Sequence, residues 1–197
     1  GSSKIMINLI NEARARGIRV FADQYPYNTS GSDGKLVLIP KWLSERVGKE
    51  RKLSPAERLR QGLANKSVAA DLRRDIAHKI VRRGGPKSII VMDHPDKSFL
   101  GKSLGELAKR HSVTPVEMAL QLQLKGDPDR RGGARLRSYS MSEKDVEAFA
   151  QQPWTATCTD GRIALPIDGP VHPRYYGAFP RKIRHYAIER GIMTVEA

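Results

Sequence analysis

The sequence has a single cysteine, few aromatic residues and no long apolar run. Cys158 alone among 197 residues excludes an internal disulfide framework and a cysteine-rich zinc module. No apolar segment approaches the roughly 20 residues of a membrane-spanning helix, and the first residues lack the apolar core of a signal peptide. With 39% hydrophobic residues the chain can still bury a core, which excludes intrinsic disorder. We therefore expect a soluble cytoplasmic protein with no membrane partner.

Acidic residues are too few to balance the basic ones, and the excess is local. The 35 lysines and arginines exceed the 21 acidic residues by 14, which makes nucleic acid, an anionic membrane or an acidic partner the first candidates to consider. Residues 41–90 hold 14 of the basic residues and five of the acidic ones. Trp42 is the one aromatic residue between Gly31 and Pro95, so a base-stacking platform is absent. A basic nucleic-acid-binding module over residues 41–90 is therefore an alternative function rather than the favoured one.

Helix and strand signals alternate near both ends of the chain. Apolar spacing predicts a helix over 3–16 that stops at Gly17, then a strand over 18–22 and a polar loop. The second half predicts a strand over 155–159, a long loop as far as Pro180, and a final helix with four buried residues: Ile183, Tyr186, Ala187 and Ile188. A helix, a strand and a polar loop after the strand form one unit of an α/β fold, which places ligands at such loops.

The middle of the chain has elements of its own. Capping signals predict helices that begin after Ser54, Ser103 and Thr114, and a further basic helix is predicted over 67–83. Short strands are predicted over 88–92 and 135–140, and Ser142 is expected to cap a helix. We predict that residues 41–130 form an inserted α+β subdomain, and that residues 1–40 and 131–197 together form the α/β elements.

Two loops at predicted strand ends could carry chemistry. One is Asp23-Gln24-Tyr25-Pro26-Tyr27, and the other is Thr159-Asp160-Gly161 with the downstream run His172 to Arg181. An aspartate at a strand end can serve as a metal ligand or general base, or it can simply belong to a turn. The downstream run concentrates a histidine, two arginines and three aromatic rings, which suits an anionic substrate; the same residues could instead fix a surface loop.

These motifs, in this order, resemble a known enzyme family. The three motifs Asp23-Gln24-Tyr25-Pro26-Tyr27, Thr159-Asp160-Gly161 and His172-Pro173-Arg174-x-Tyr176-Gly177-x-Phe179-Pro180-Arg181 are similar to the C-terminal half of the catalytic domain of D-aminoacylases. These are N-acyl-D-amino-acid deacylases of the amidohydrolase superfamily. The segment from Gly101 to Glu117 is similar too, so the resemblance covers nearly the whole chain.

The resemblance implies a fold and an activity. The fold would be the C-terminal portion of a (β/α)8 TIM-type barrel, interrupted by the inserted α+β subdomain. The reaction would be hydrolysis of the amide of N-acyl-D-amino acids, or of related N-acyl or cyclic amides, by zinc-activated water.

The resemblance also assigns roles to particular residues. Asp160 would lie at the end of the last barrel strand, close to the metal, and would carry a proton from the water to the leaving amine. Arg174 would hold the substrate carboxylate, with Tyr25 at the same end of the substrate. His172 and Tyr176 are candidate substrate contacts, and either Ser30 or Ser32 would fill the position of a substrate-binding serine.

The resemblance leaves the metal site incomplete. The His-x-His pair and the later histidines of the superfamily would all precede Gly1. None of the five histidines present shows metal-ligand spacing: His78, His94, His111, His172 and His185. We therefore expect a fragment of an amidohydrolase that is inactive alone and pairs with the missing N-terminal half or another copy. A non-catalytic remnant that pairs with a partner chain remains a further alternative.

Overall fold

The structure, a computed structural model, describes residues 2–30, 36–48, 52–165, 167 and 171–196. The chain divides into two compact units. The first unit comprises Gly1–Asn28 with Met141–Ala197, and the second comprises Thr29–Ser140. The predicted limits of the inserted subdomain, 41 and 130, both lie inside the second unit. That this unit interrupts a barrel stays a prediction.

Each unit contains both helices and strands. The elements of the first unit are α1 (Ser2–Ala15), β1 (Ala22–Gln24), α7 (Glu143–Ala150), β4 (Thr155–Thr157), α8 (Arg174–Arg181) and a π-helix (Lys182–Glu189). Those of the second are α2 (Leu43–Arg46), α3 (Pro55–Ala64), α4 (Lys66–Arg82), β2 (Ile89–Asp93), α5 (Leu104–Arg110), α6 (Pro115–Lys125) and β3 (Arg135–Ser138). The molecule is therefore a mixed α/β protein.

The first unit contains two parallel strands with a helix on one side. Strands β1 and β4 pair in parallel, with Asp23 opposite Ala156. The next residue, Gln24, donates a 3.1 Å hydrogen bond from Nε2 to the carbonyl of Val146 in α7. Because side chains alternate along a strand, Asp23 and Ala156 point away from that helix, and both are exposed. One face of this small sheet thus carries a helix, while Asp23 and Ala156 on the opposite face are exposed in the described part of the chain.

Apolar side chains of the first unit are also exposed on its helices. The predicted helix at the N-terminus is confirmed as α1, but Ile5, Met6 and Leu9 on its apolar face are 65%, 49% and 53% exposed. In the predicted last helix Tyr186 is buried, whereas Ile183 and Ile188 are exposed. The burial predicted for these two isoleucines is wrong for the chain by itself, since Ile183 is 46% and Ile188 69% exposed.

The second unit has a hydrophobic core of its own. Strands β2 and β3 pair antiparallel, and the core includes Leu72 and Ile76 of α4 together with Leu104 of α5 and Met118 of α6. The predicted helix over 67–83 is confirmed as α4, and the predicted strand over 88–92 as β2. Reciprocal hydrogen bonds at Ser103 confirm the predicted capping box there. This core indicates a unit that is compact by itself.

A second capping box fixes the start of α3 and gives a stability prediction. Ser54 Oγ accepts from the Glu57 backbone N–H, and Glu57 Oε2 accepts from the Ser54 N–H. We expect Ser54→Ala to lower the free energy of unfolding in urea by about 1 kcal/mol. Ser142→Ala is the control, because Ser142 precedes α7 without a side-chain capping bond and its replacement should change little. Equal effects of the two substitutions would contradict the capping account.

The capping box of Ser54 and Glu57 also predicts that the stabilisation of α3 depends on pH. The hydrogen bonds from Ser54 lower the pKa of the Glu57 carboxyl. The stabilisation should therefore be present above the ordinary glutamate pKa of about 4.3 and be lost as the pH falls through the lowered pKa.

Two sequence-based predictions about elements are wrong. The strand near the N-terminus begins at Ala22 rather than Ile18, because pairing with β4 starts only where Ala22 lies opposite Thr155. The long loop predicted as far as Pro180 contains α8, which continues directly into the π-helix. Pro180 lies inside α8. A proline interrupts the regular hydrogen-bond ladder and explains why the pattern favoured a loop.

Candidate active site

The candidate site lies where the two parallel strands of the first unit end. Tyr25 follows β1 directly, and Cys158 follows β4. The Cys158 backbone N–H donates to the Gln24 carbonyl at 3.0 Å, so the pairing continues one residue beyond β4. Because the strands are parallel, the loops that follow them emerge at the same edge. This geometry brings the two loops of the sequence motifs together.

Asp160 stands out by its backbone. Its φ of 42° lies in the left-handed region, which aspartate tolerates better than most residues with a side chain. The adjacent Gly161 packs so closely on the ring of Tyr175 that a Cβ atom would overlap it. The Asp160 side chain is 64% exposed, and one of its oxygens contacts Arg174. The local backbone thus presents the carboxylate at the strand end.

Arg174 is buried and connects the two loops. Its Nη1 lies 2.8 Å from Asp160 Oδ2, and the guanidinium lies over the ring of Tyr25 with 4.5 Å from Cζ to the ring centroid. The Arg174 side chain is 9% exposed. A guanidinium held in this way has little freedom left to lose, which suits it to bind a carboxylate through two parallel hydrogen bonds.

His172 supports Arg174 from the backbone side. Its Nδ1 accepts the Arg174 backbone N–H at 3.0 Å, and this bond fixes the start of α8. The imidazole is buried and contacts the rings of Tyr25 and Tyr27 edge-on, with centroids 5.9 and 5.3 Å apart. His172 therefore positions the loop after β1 against Arg174.

A cavity of about 340 Å³ adjoins these residues. It is lined by residues of both loops and of α7: Asp23, Gln24, Tyr25, Tyr27, Met141, Val146, Cys158 and Asp160. Its volume suits a small molecule. Burial, followed by the negative charges of Asp23 and Asp160, raises the pKa of the Cys158 thiol. The thiol is therefore neutral near pH 7, which argues against a cysteine nucleophile here.

Tyr176 and Ser30 make none of the described contacts of this cluster. Tyr176 donates its hydroxyl to the Ala164 carbonyl at 2.7 Å and is 66% exposed. Ser30 belongs to the second unit, where its hydroxyl contacts those of Ser138 and Ser140 and accepts from Arg83. Ser32 lies outside the described residues. The structure brings together Tyr25, Asp160, His172 and Arg174.

The described residues do not by themselves fit a metal ion. Across residues 2–30, 36–48, 52–165, 167 and 171–196, no group of three or more histidine, cysteine, aspartate or glutamate side chains could hold one. A zinc site needs three or four ligands, and Asp160 could supply one of them. The remaining ligands of any zinc site at this position would have to come from residues outside this part of the chain.

Three residues near the site were not assigned roles from the sequence. Tyr27 contacts His172, Arg181 contacts the loop after β1, and Glu143 pairs with Arg181 at 3.1 Å. Tyr27 and Arg181 both lie within the sequence motifs, so the motifs could have indicated them as candidates. Glu143 lies 38 residues before Arg181, and no local pattern signals a pair across that distance.

Gly177 is a sensitive position in α8. A Cβ there would overlap the hydroxyl of Tyr27, whose ring is held against His172. We expect Gly177→Ala to lower the free energy of unfolding by about 1–3 kcal/mol, because the tyrosine would have to move. Gly105→Ala in α5 is the matched control: its Cβ would meet only ordinary contacts at 3.5 Å, so the helix should be stabilised slightly. Urea unfolding measures both, and a neutral Gly177→Ala would contradict the close approach.

Comparisons with known proteins identify relatives by sequence. No family model matches the chain. A D-aminoacylase of Alcaligenes xylosoxydans xylosoxydans is 29% identical over 110 residues, which is 56% of this chain and 20% of that protein. An N-acyl-D-glutamate deacylase of the same organism is 26% identical over all 197 residues, which is 29% of that protein. The chain therefore spans under a third of the length of the relatives that it matches.

Solved structures of similar fold belong to the same two kinds of enzyme. The N-acyl-D-glutamate deacylase of Bordetella bronchiseptica, solved with zinc and a phosphonate inhibitor, matches with a TM-score of 0.56 and 23% identity. A D-aminoacylase that defines a novel subset of amidohydrolases also matches with a TM-score of 0.56 and 23% identity. Each match covers the whole of this chain and 30% of the solved chain. The mixed α/β fold is therefore that of a segment of these proteins.

Together the comparisons confirm the resemblance found in the sequence motifs. The homologues and structural neighbours of this chain are D-aminoacylases and N-acyl-D-glutamate deacylases, which form an amidohydrolase family. These homologues are hydrolases that act on amide bonds. Among the described residues, no helix is both long enough and apolar enough to cross a membrane.

Proposed function

We propose that this chain is the C-terminal part of the catalytic domain of a metal-dependent amidohydrolase that hydrolyses N-acyl-D-amino acids. The observation that carries the proposal is the cluster of Asp160, Arg174 and Tyr25 at the ends of two adjacent parallel strands. It combines a carboxylate that can move a proton with a buried guanidinium that can hold an anionic substrate. The relatives by sequence and by fold support the same reaction class.

The first unit has the features expected of part of a (β/α)8 barrel. Its two strands are parallel, a helix covers one face, and the other face is open at Asp23 and Ala156. In a closed barrel that face points inward and further parallel strands pair with the two edges. The exposed Ile5, Met6 and Leu9 of α1 are then available to pack on neighbouring helices. We infer that the second unit is a subdomain inserted between two successive barrel strands.

Arg174 is the residue that we assign to the substrate carboxylate. Its Nη1 pairs with Asp160 Oδ2 at 2.8 Å. A bound carboxylate would compete for the same guanidinium, and a bidentate pair is the stronger of the two arrangements. Substrate binding would thereby release Asp160 from Arg174. The ring of Tyr25, packed against the guanidinium, would contact the same end of the substrate.

Asp160 is the residue that we assign to proton transfer. Its carboxylate lies on the loop after β4, is 64% exposed and lines the cavity. Once separated from Arg174, it can take a proton from the attacking water and return it to the nitrogen of the leaving amine. His172 and Tyr27 hold the opposite loop in place while this occurs. Ser30, Ser32 and Tyr176 remain candidate substrate contacts in the complete enzyme.

All the ligands of a zinc ion except Asp160 would come from residues outside the described part of the chain. When bound in the complete enzyme, zinc would lower the pKa of its water towards about 7. Asp160 lies at the strand end from which it could add one ligand. We propose that the complete protein pairs this chain with further barrel strands, supplied by preceding residues or by another chain.

The gene sequence upstream of the codon for Gly1 tests the proposed function. We expect an open reading frame that encodes a His-x-His motif on a predicted strand, followed by two further histidines at strand ends. An in-frame stop codon or unrelated upstream sequence, with no separate gene for the missing half, would contradict the proposal for this chain.

A further inference from the structure

Arg181 joins three segments of the first unit through one side chain. Its Nε donates to the Pro26 carbonyl at 2.6 Å, and its Nη2 lies 3.1 Å from Glu143 Oε1. The guanidinium also lies against the rings of Tyr27 and Tyr186, at 5.1 and 5.7 Å from Cζ to the centroids. The end of α8 is thus attached to the loop after β1, to the start of α7 and to the π-helix.

Glu143 is itself held by a buried phenol. The Tyr186 hydroxyl donates to Glu143 Oε1 at 2.9 Å, and Tyr186 is fully buried. Burial and the hydrogen bond to Glu143 raise the pKa of Tyr186, so the phenol keeps its proton and stays a donor. The carboxylate therefore has two fixed partners, and its pair with Arg181 is only partly exposed, at 29% for each side chain. Such a pair is more rigid than one on the open surface.

The contacts of Arg181 lead to the candidate site without touching it. Pro26 lies between Tyr25, which packs on Arg174, and Tyr27, which contacts His172 edge-on. His172 in turn accepts the backbone N–H of Arg174. A displacement of Pro26 would therefore reach Arg174 by two routes, through Tyr25 and through Tyr27 with His172.

We propose that Arg181 and Glu143 are positioning residues that hold the Tyr25–Tyr27 loop against His172 and Arg174, and so fix the orientation of the Arg174 guanidinium. Neither residue contacts Asp160 or the proposed substrate, and both act through the loop. Their consequence for amide hydrolysis rests on the proposed function, whereas the positioning itself is a property of the chain that can be measured without substrate.

A nitrogen-15 NMR spectrum of the 197-residue chain provides the test. The Nε atom of Arg174 is buried, and its N–H signal is identified as the one lost in Arg174→Lys. In Arg181→Gln we expect this signal to shift and its exchange with solvent to become about tenfold faster, because the loop that covers it opens more often. Arg181→Lys should give the same change, since one ammonium group cannot reproduce the planar contacts to Pro26 and Tyr27.

The matched control is Arg184→Gln. Arg184 lies three positions further along the same helical segment, is 82% exposed and pairs with Glu189 at the surface. It loses the same charge but should leave the Arg174 signal unchanged. Thermal unfolding of each variant separates a local change from a loss of the whole fold.

Two outcomes would overturn the proposal. One is a folded Arg181→Gln variant with lower thermal stability but an unchanged Arg174 signal, which would make Arg181 a structural contact only. The other is an equal change in Arg184→Gln. If Arg181→Gln does not fold, Glu143→Gln decides, because it keeps the acceptor for Tyr186 and removes only the charge that holds Arg181. Absence of hydrolysis by the complete protein would refute the proposed function and leave this measurement unaffected.

Discussion

Replacing Asp160 by asparagine should reduce turnover of N-acyl-D-amino acids about 10²- to 10⁴-fold in the complete enzyme, the contribution typical of a general acid or base. The amide keeps the size of the side chain but cannot accept and return a proton. Asparagine is also the conformationally matched replacement, because it tolerates the φ of 42° at this position, whereas alanine would add backbone strain. Steady-state kinetics would report the change in kcat.

The control for Asp160 is an aspartate of the second unit. Asp129 is exposed, and Asp129→Asn should leave kcat unchanged. Metal analysis of Asp160→Asn distinguishes proton transfer from metal binding, and we expect the metal content to be largely retained. Near-normal turnover in Asp160→Asn would refute the role assigned to this carboxylate.

Arg174→Lys should raise KM for N-acyl-D-amino acids by about 10- to 100-fold with a smaller change in kcat, equivalent to losing about 1.4–2.7 kcal/mol of hydrogen bonding to a charged group. Lysine keeps the charge but cannot make the planar two-point contact with a carboxylate, nor can it lie flat on the ring of Tyr25 in the same way. The expected loss therefore falls on binding of the carboxylate end of the substrate.

Substrate analogues make the Arg174 prediction specific. The methyl ester of the same N-acyl-D-amino acid has no carboxylate, so wild type and Arg174→Lys should have similar KM values for it. Arg184→Lys, on the exposed part of the same helical segment, should leave KM unchanged for both the free acid and the ester. An unchanged KM for the free acid in Arg174→Lys would place the carboxylate contact elsewhere.

Local rules predicted the helices of the second unit well. Ser54 and Ser103 each begin a helix with both hydrogen bonds of a capping box, as their spacing to Glu57 and Glu106 indicates. Thr114 makes half of such a box, with its hydroxyl accepting from the Glu117 N–H. These signals involve residues three positions apart, so the information is contained in the local sequence.

Elements that depend on distant partners were predicted less well. The beginning of β1 is set by its pairing with β4, more than a hundred residues later in the chain, and not by the apolar Ile18, Val20 and Phe21. Helix α8 contains Gly177 and Pro180, which favour a loop by themselves; the contacts of Tyr27 and Glu143 with this helix lie outside any local window. Local propensity gives way here to tertiary packing.

The candidate site was likewise predicted only in part from the sequence. The resemblance indicated Tyr25, Asp160, His172 and Arg174 from their motifs, and the structure brings these four together. No sequence rule indicated the hydrogen bond from Arg181 to Pro26, which joins residues 155 positions apart. Composition was a poor guide to this cluster, because nine of the 14 net positive charges lie in residues 41–90, all within the second unit, whereas the cluster lies in the first.

The release of free amino acid from N-acetyl-D-amino acids and their L-enantiomers, by the zinc-loaded complete protein, tests the central claim most directly. We predict hydrolysis of the D-enantiomers that is at least about 100-fold faster than that of the L-enantiomers, a difference of about 2.7 kcal/mol between the two transition states, and a reduction of this hydrolysis by about 10²-fold or more in Asp160→Asn. Equal hydrolysis of both enantiomers, near-normal hydrolysis by Asp160→Asn, or no hydrolysis of either enantiomer would contradict the claim.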